Sequence, residues 1–181
     1  MRIFISVDIE GISGVTTAAE TRPGGHDYEL ARRWMTAETN AAIAAAFEGG
    51  ATRVLVNDSH GSMNNLLLDE LDPRAEVIRG WLKPLGMMQG IEQGWDAAFF
   101  VGYHAAAGDG DGILAHTING ASFHAVRLNG RPVSEAELNA AVAGEFGVPV
   151  VLVTGDARLE PAVRTLLDPV EFGRASCRER V

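Results

Sequence analysis

Ile3-Phe4-Ile5-Ser6-Val7-Asp8-Ile9-Glu10 opens the 181-residue chain as an apolar, β-branched run that ends in two carboxylates. That is the pattern of a buried parallel strand whose last residues reach the end of a sheet. A Gly/Thr/Pro-rich loop follows over 11–25, and then helical spacing over 27–48. Leu30, Trp34, Ala37, Ala41 and Ala45 share one side of that helix, and Gly49-Gly50 stops it. Further strands are predicted over 52–56, 75–78, 97–101, 113–117 and 148–153, with helices over 86–93 and 158–167. Asn129-Gly130 predicts a type I′ hairpin turn within 123–133, and Ser134-Glu135-Ala136-Glu137 is a capping box opening a helix that runs to Phe146. Strands alternating with helices specify an α/β fold: a mostly parallel or mixed sheet flanked by helices in three α/β/α layers, with an added β-hairpin. We expect one domain over 1–172. Residues 173–181 carry three arginines and no apolar period, and are expected to form an irregular tail.

Composition narrows the partners. With 15 Lys+Arg against 24 Asp+Glu the net charge is -9, which repels phosphate backbones and argues against nucleic acid. The sole cysteine, Cys177, excludes an internal disulfide or a Cys-based zinc cluster and suits a reducing compartment. No signal peptide is expected ahead of the first strand, and the most apolar helical stretch, 41–47, is too short to span a bilayer. The expectation is a cytoplasmic protein without a membrane partner.

In open α/β sheets, ligands bind beyond the carboxyl ends of the strands. Three predicted strands deliver polar residues there: Asp8 and Glu10 after the first, Asp58 and His60 after the second, and His104 after the fourth. Singly, a carboxylate at a strand end caps a loop and a histidine packs with a hydrogen bond; together they point to a metal or catalytic site. Imidazole with carboxylate favours Zn²⁺, Mn²⁺ or Co²⁺ over Mg²⁺ and Ca²⁺, which take oxygen shells. Asp8, Glu10 and one further carboxylate bring three negative charges. Two dications leave a single positive charge, which a bridging hydroxide balances. The further carboxylate is Glu135 or Glu137. Glu137 stands at the capping-box position and is engaged with Ser134, which favours Glu135. His116 is either a packed, hydrogen-bonded residue of its strand or a proton-transfer group left free by metal ligation. His26 and His124 suit exposed or packing roles.

The stretches Ser6-Val-Asp-Ile-Glu-Gly-Ile-Ser-Gly14, Val56-Asn-Asp-Ser-His-Gly-Ser-Met-Asn-Asn-Leu66, Gly102-Tyr-His-Ala105, Leu114-Ala-His-Thr117 and Asn129-Gly-Arg-Pro-Val-Ser-Glu135 resemble, in the same order, the zinc-dependent D-aminopeptidases of peptidase family M55. The resemblance covers residues 1 to about 168. It implies a hydrolase with two zinc ions per subunit that removes N-terminal D-amino acids from short peptides. It also implies that Asp8 bridges the ions, that Glu10 and His104 complete one site, and that His60 and Glu135 complete the other. His116 matches the family's catalytic histidine, described there as a nucleophile; a general acid/base role is preferred here because a metal-activated water already suffices as nucleophile. Family members form ring-like homo-oligomers enclosing their active sites. Their chains also continue past residue 181 with a further α/β portion, so this chain is expected to be truncated relative to the family. Two alternatives stand beside this reading. One is a Mg²⁺-dependent haloacid-dehalogenase-type phosphatase using Asp8-Ile-Glu10-Gly11, although Glu10 and Ile12 replace that family's Asp and Thr. The other is a non-catalytic, oligomeric metal- or peptide-binding module.

Overall fold

The computed structural model describes residues 1–167 and 169–174. Strands β1 (Arg2–Val7), β2 (Arg53–Asp58), β3 (Glu76–Ile78) and β4 (Ala97–Tyr103) are followed by a hairpin of β5 (Arg127–Leu128) and β6 (Arg131–Pro132), then by β7 (Val150–Gly155) and β8 (Glu171–Arg174). The helices are α1 (Tyr28–Glu48), α2 (Glu135–Glu145) and α3 (Glu160–Leu167). Six strands pair in the order β3-β2-β1-β4-β7-β8, all parallel, and the hairpin forms a separate antiparallel pair. The chain winds outward from β1 to β3, then returns to β1's other flank at β4 and winds the opposite way. The reversal between β1 and β4 opens the crevice where such sheets bind ligands.

Period two along β1 explains its unbroken apolar run. Ile3, Ile5 and Val7 pack with Met35 and Ile43 of α1, while Phe4 packs on the opposite face with the cluster that includes Phe100, Val153, Ala140 and Val163. In α1 the buried face is Tyr28, Ala31, Met35, Thr39, Ala42, Ile43 and Ala46, and Leu30, Ala37, Ala41 and Ala45 face outward. The expected stripe had the right spacing but was one residue out of phase. Alanine fits either face, and the bulky Met35 and Ile43 decide between them.

Three other expectations change. Residues 86–93 form two short 3₁₀ turns, Gly86–Met88 and Ile91–Gln93, separated by Gly90 at φ 102 rather than one helix. Residues 113–117 form a loop, not a strand. Both edges of β4 are already taken by β1 and β7, and the loop's amides find irregular acceptors, Ile113 N–H on Asp156 Oδ2 at 2.8 Å and His116 N–H on the Ala105 carbonyl at 3.3 Å. Finally, Gly173 and Arg174 pair with Thr154 and Gly155 inside β8, so the sheet runs past residue 172. The rest of the expected tail, 175–181 with Cys177, lies outside the described residues. Among those residues, no helix is long and apolar enough to cross a membrane.

Candidate metal centre

Residues just past β1 run on along the end of β4. Asp8 N–H donates to the Val101 carbonyl and Gly11 N–H to the Gly102 carbonyl, each at 2.8 Å. A Cβ on Gly11 would sit 1.9 Å from the Tyr103 carbonyl oxygen, so only glycine lets the chain come this close. Asp8 and Glu10 are thereby held in the crevice. His60 enters from the end of β2, His104 from the end of β4, and Glu135 from the first turn of α2. His116 comes from the loop over 113–117.

These six side chains converge. His60 Nδ1 lies 3.2 Å from Asp8 Oδ1 and 2.9 Å from Glu10 Oε2. His104 Nε2 lies 3.5 Å from Asp8 Oδ2 and 3.4 Å from Glu135 Oε1. His116 Nε2 lies 3.6 Å from Glu135 Oε1 and 3.9 Å from Glu10 Oε1. Glu135 is fixed by the Ile118 N–H at 2.8 Å, and the His104 and His116 rings stack with centroids 4.2 Å apart. The ligand atoms of Asp8, Glu10 and His104 lie within 4.8 Å of one another, as do those of His104, His116 and Glu135.

Each imidazole spends one ring nitrogen on a backbone carbonyl: His60 Nε2 on Thr21 at 2.7 Å, His104 Nδ1 on Ala105 at 3.0 Å, and His116 Nδ1 on Leu114 at 2.8 Å. A carbonyl only accepts, so that nitrogen carries a proton and the other faces the carboxylates, where it holds a second proton or, once that proton is displaced, offers a lone pair to a cation. This is how proteins orient metal-ligating histidines. Asp8 Oδ2, Glu10 Oε2 and His104 Nε2 are buried without a hydrogen-bond partner, a costly arrangement that a bound cation would relieve.

Electrostatics point the same way. Burial and the neighbouring Glu10 push the Asp8 carboxyl up to about 8. Burial would also raise Glu10, but the His60 ring overrides it and holds that carboxyl well below the usual range. Burial disfavours charge on both histidines, yet Glu10 and Asp8 raise His60, and Glu135 pushes His104 up to about 10. Glu135 is in turn lowered by His104, against the opposing effect of burial. Among the described residues no lysine or arginine pairs with these three carboxylates, so protons gather where divalent ions would serve better.

Asp58 stays out of this cluster. Its carboxylate accepts from the Asn65 and Leu66 amides at 2.6 and 2.8 Å and from Asn65 Nδ2 at 2.8 Å, which closes the loop after β2. Glu137 makes the capping box with Ser134 and pairs with Arg131 at 3.0 Å. His26 is exposed beside Asp27, and His124 is exposed on an open concavity that also reaches His116. Sequence reasoning missed the Thr21 carbonyl, which leaves no side-chain signal. It also missed the apolar wall of Met87, Leu138 and Val142, which lines a cavity of about 620 Å³ over Asp8, Glu10, His60, His116 and Glu135.

The family described as D-aminopeptidase, peptidase family M55, matches residues 1–176. This chain belongs to that family. Its M55 relatives include a D-aminopeptidase of Bacillus subtilis (strain 168), 43% identical over 170 residues, which make up 94% of this chain and 61% of the relative. A solved structure, the zinc-dependent D-aminopeptidase DppA of Bacillus subtilis, called a self-compartmentalizing protease, superposes with a TM-score of 0.88 at 42% identity. That match covers 95% of this chain and 62% of the solved one, so this chain spans about three fifths of the length of the relatives it matches. The haloacid-dehalogenase reading gains no support. The family is a different one, and imidazoles placed among the carboxylates do not suit Mg²⁺, which prefers oxygen donors.

Proposed function

We propose that this chain is a metallo-aminopeptidase that holds two zinc ions and removes N-terminal D-amino acids from short peptides within a ring-like homo-oligomer. The observation that carries the reading is that Asp8 Oδ2, Glu10 Oε2 and His104 Nε2 are buried without a hydrogen bond, facing only ionisable neighbours, in a cluster where three imidazoles meet three carboxylates. In this reading Asp8 would be shared between the ions, and Glu10 and His104, whose ligand atoms group with it, would hold one. His60 and Glu135 would hold the other, a pairing that rests on the family resemblance because His60 lies beside Glu10 and His104 beside Glu135 here. Bound there, zinc supplies Lewis-acid polarisation of the scissile carbonyl and activation of water near neutral pH.

The protein's own groups do the rest. His104 has no exposed side-chain surface, whereas His116 keeps 24% and lines the cavity. His116 is therefore the most exposed of the three imidazoles, ahead of His60 at 14%. With Nδ1 held by Leu114, its Nε2 can take up the proton lost by the attacking water and pass it to the departing amine. The acidic end of the cavity draws a free peptide amine, and Met87, Leu138 and Val142 offer the first side chain an apolar wall. D-configuration and ring assembly rest on the relatives, a D-aminopeptidase and a self-compartmentalizing protease.

The test is zinc content by elemental analysis alongside release of alanine from D-Ala and L-Ala dipeptides. Two equivalents of zinc and D-selective release are expected. Zinc uptake without turnover would instead support the non-catalytic module. His116→Ala should keep both ions and lose turnover by about 10²–10⁴-fold. A second reading makes His116 a ligand, since its Nε2 groups with His104 and Glu135; in that case the variant loses an ion as well. Near-normal turnover would return His116 to a packing role.

A further inference from the structure

Behind the acids and imidazoles lies a chain of buried polar groups. Asn139 Nδ2 donates to Tyr103 Oη at 3.0 Å, and Tyr103 Oη lies 2.7 Å from Ser6 Oγ. Ser6 Oγ lies 2.8 Å from the Met87 carbonyl and 2.8 Å from Ser59 Oγ. Proton counting gives the chain a direction. The phenol accepts from the Asn139 amide, so its own proton goes to Ser6. Ser6 then donates to the Met87 carbonyl, so the single Ser59 proton closes the link to Ser6, with the Asn57 carbonyl at 2.9 Å as its alternative acceptor. All four side chains are buried and all are partnered, the condition under which such a network fixes one arrangement rather than several.

Its placement in the sequence is what matters. Ser6 stands two residues before Asp8, Ser59 directly before His60, Tyr103 directly before His104, and Asn139 one helical turn after Glu135. Every element that presents a ligand in the proposed centre is thus gripped, within four residues of that ligand, by one network whose middle is the Tyr103 hydroxyl. Resting on the zinc reading above, we infer that Tyr103 is a positioning residue: its hydroxyl sets the spacing of the ligand-bearing ends of β1, β2, β4 and α2. Removing that oxygen leaves Asn139 Nδ2 with only Met87 Sδ at 3.3 Å and cuts Ser6 and Ser59 off from α2 and β4. The ring keeps its stack on Phe100 at 4.9 Å, so the apolar packing persists.

Tyr103→Phe in the full chain separates positioning from plain stability. Zinc affinity is read by competition with a colorimetric chelator, ligand geometry by the visible spectrum of the Co²⁺-loaded protein, and stability by thermal unfolding without metal. Thr39→Val serves as the control, because it removes a buried hydroxyl that bonds only within α1, to the Met35 carbonyl at 2.7 Å. We expect Tyr103→Phe to weaken zinc binding by about 10–100-fold and to change the cobalt spectrum, while Thr39→Val leaves both as in the parent. Parent-like affinity and spectrum in Tyr103→Phe, with only its unfolding temperature lowered, overturn the inference. Should Tyr103→Phe fail to fold, Ser6→Ala cuts the same chain at its next oxygen and is held to the same two outcomes. A parent protein that takes up no zinc overturns the functional reading together with this one. Parent binding with an unchanged Tyr103→Phe overturns this inference alone.

Discussion

The two ends of the parallel sheet carry similar residues and treat them in opposite ways. At the amino end, Arg53 forks onto Glu76 at 2.6 and 2.8 Å, and the Arg2 N–H donates to Asp96 at 2.7 Å. Both guanidinium groups lie over the Trp95 ring, at 4.9 and 4.8 Å. Arg53 and Glu76 keep access to water, and each has a partner of opposite sign. At the carboxyl end, Asp8, Glu10 and Glu135 are buried, their ion-pair partners among the described residues are imidazoles only, and three ligand-type atoms have no hydrogen bond. Folding alone disfavours that second arrangement, because buried carboxylates lose hydration without full compensation. Charge density therefore does not mark a site. What marks it is a set of buried carboxylates to which the described residues offer no fixed cation, only imidazoles that charge by taking up protons.

The strongest way to break this contrast is Asp8→Ala. In the proposed centre Asp8 contacts both ions, so the variant should lose both and with them at least about 10³-fold in peptide hydrolysis, as expected when the Lewis acid is gone. Retention of two zinc equivalents would refute the bridging role. The metal-free variant should unfold at the same temperature as the parent or higher, because the substitution removes one of three crowded carboxyls. A clear drop in metal-free stability would mean that the cluster supports the fold, as the ion pairs at the other end do.

Titration sharpens the same point. Without metal, Asp8 moves from 3.8 to about 8 and His104 from 6.5 to about 10 on folding. In both cases the folded state binds protons more tightly. Their stabilisation is present at low pH and is lost as pH rises through the folded values, so metal-free stability should decline between about pH 4 and 10. Zinc must displace those protons, and its affinity should rise across the same window. Unfolding midpoints with and without zinc at several pH values provide the check. A flat metal-free profile would show that the carboxylates are not holding protons in place of cations.

Much of this was legible in the sequence. Strand ends are readable because a buried parallel strand is apolar along its length, so Asp8, His60 and His104 stand out where the run stops, and the capping box fixed Glu135 to the start of α2. The loop carrying His116 was not readable. Ile113 and Leu114 have strand-like character, but whether β4 has a free edge is a property of the whole sheet. The phase of α1 was hidden by its alanines. The Ser6–Tyr103–Asn139 network was invisible for another reason: each member is an ordinary buried polar residue until the fold brings together positions nearly a hundred residues apart.

The smallest expected effect lies at the amino end. Glu76→Gln removes the carboxylate that Arg53 forks onto, but Arg53 retains Gln93 Oε1 at 3.0 Å and its place over Trp95. Glu76 is open to water, and Arg53 beside it holds its carboxyl below the usual range. That contribution is present above the unfolded pKa and is lost as pH falls. It is an exposed ion pair, weak and readily screened. The unfolding midpoint should drop slightly in low salt, and the difference should vanish near 1 M NaCl, where screening acts over about 3 Å. Zinc content and turnover should match the parent. If Glu76→Gln altered zinc binding instead, the two ends of the sheet would be coupled through β1 and β2. The cluster's missing counter-charge could then no longer be treated as a local property of the carboxyl end.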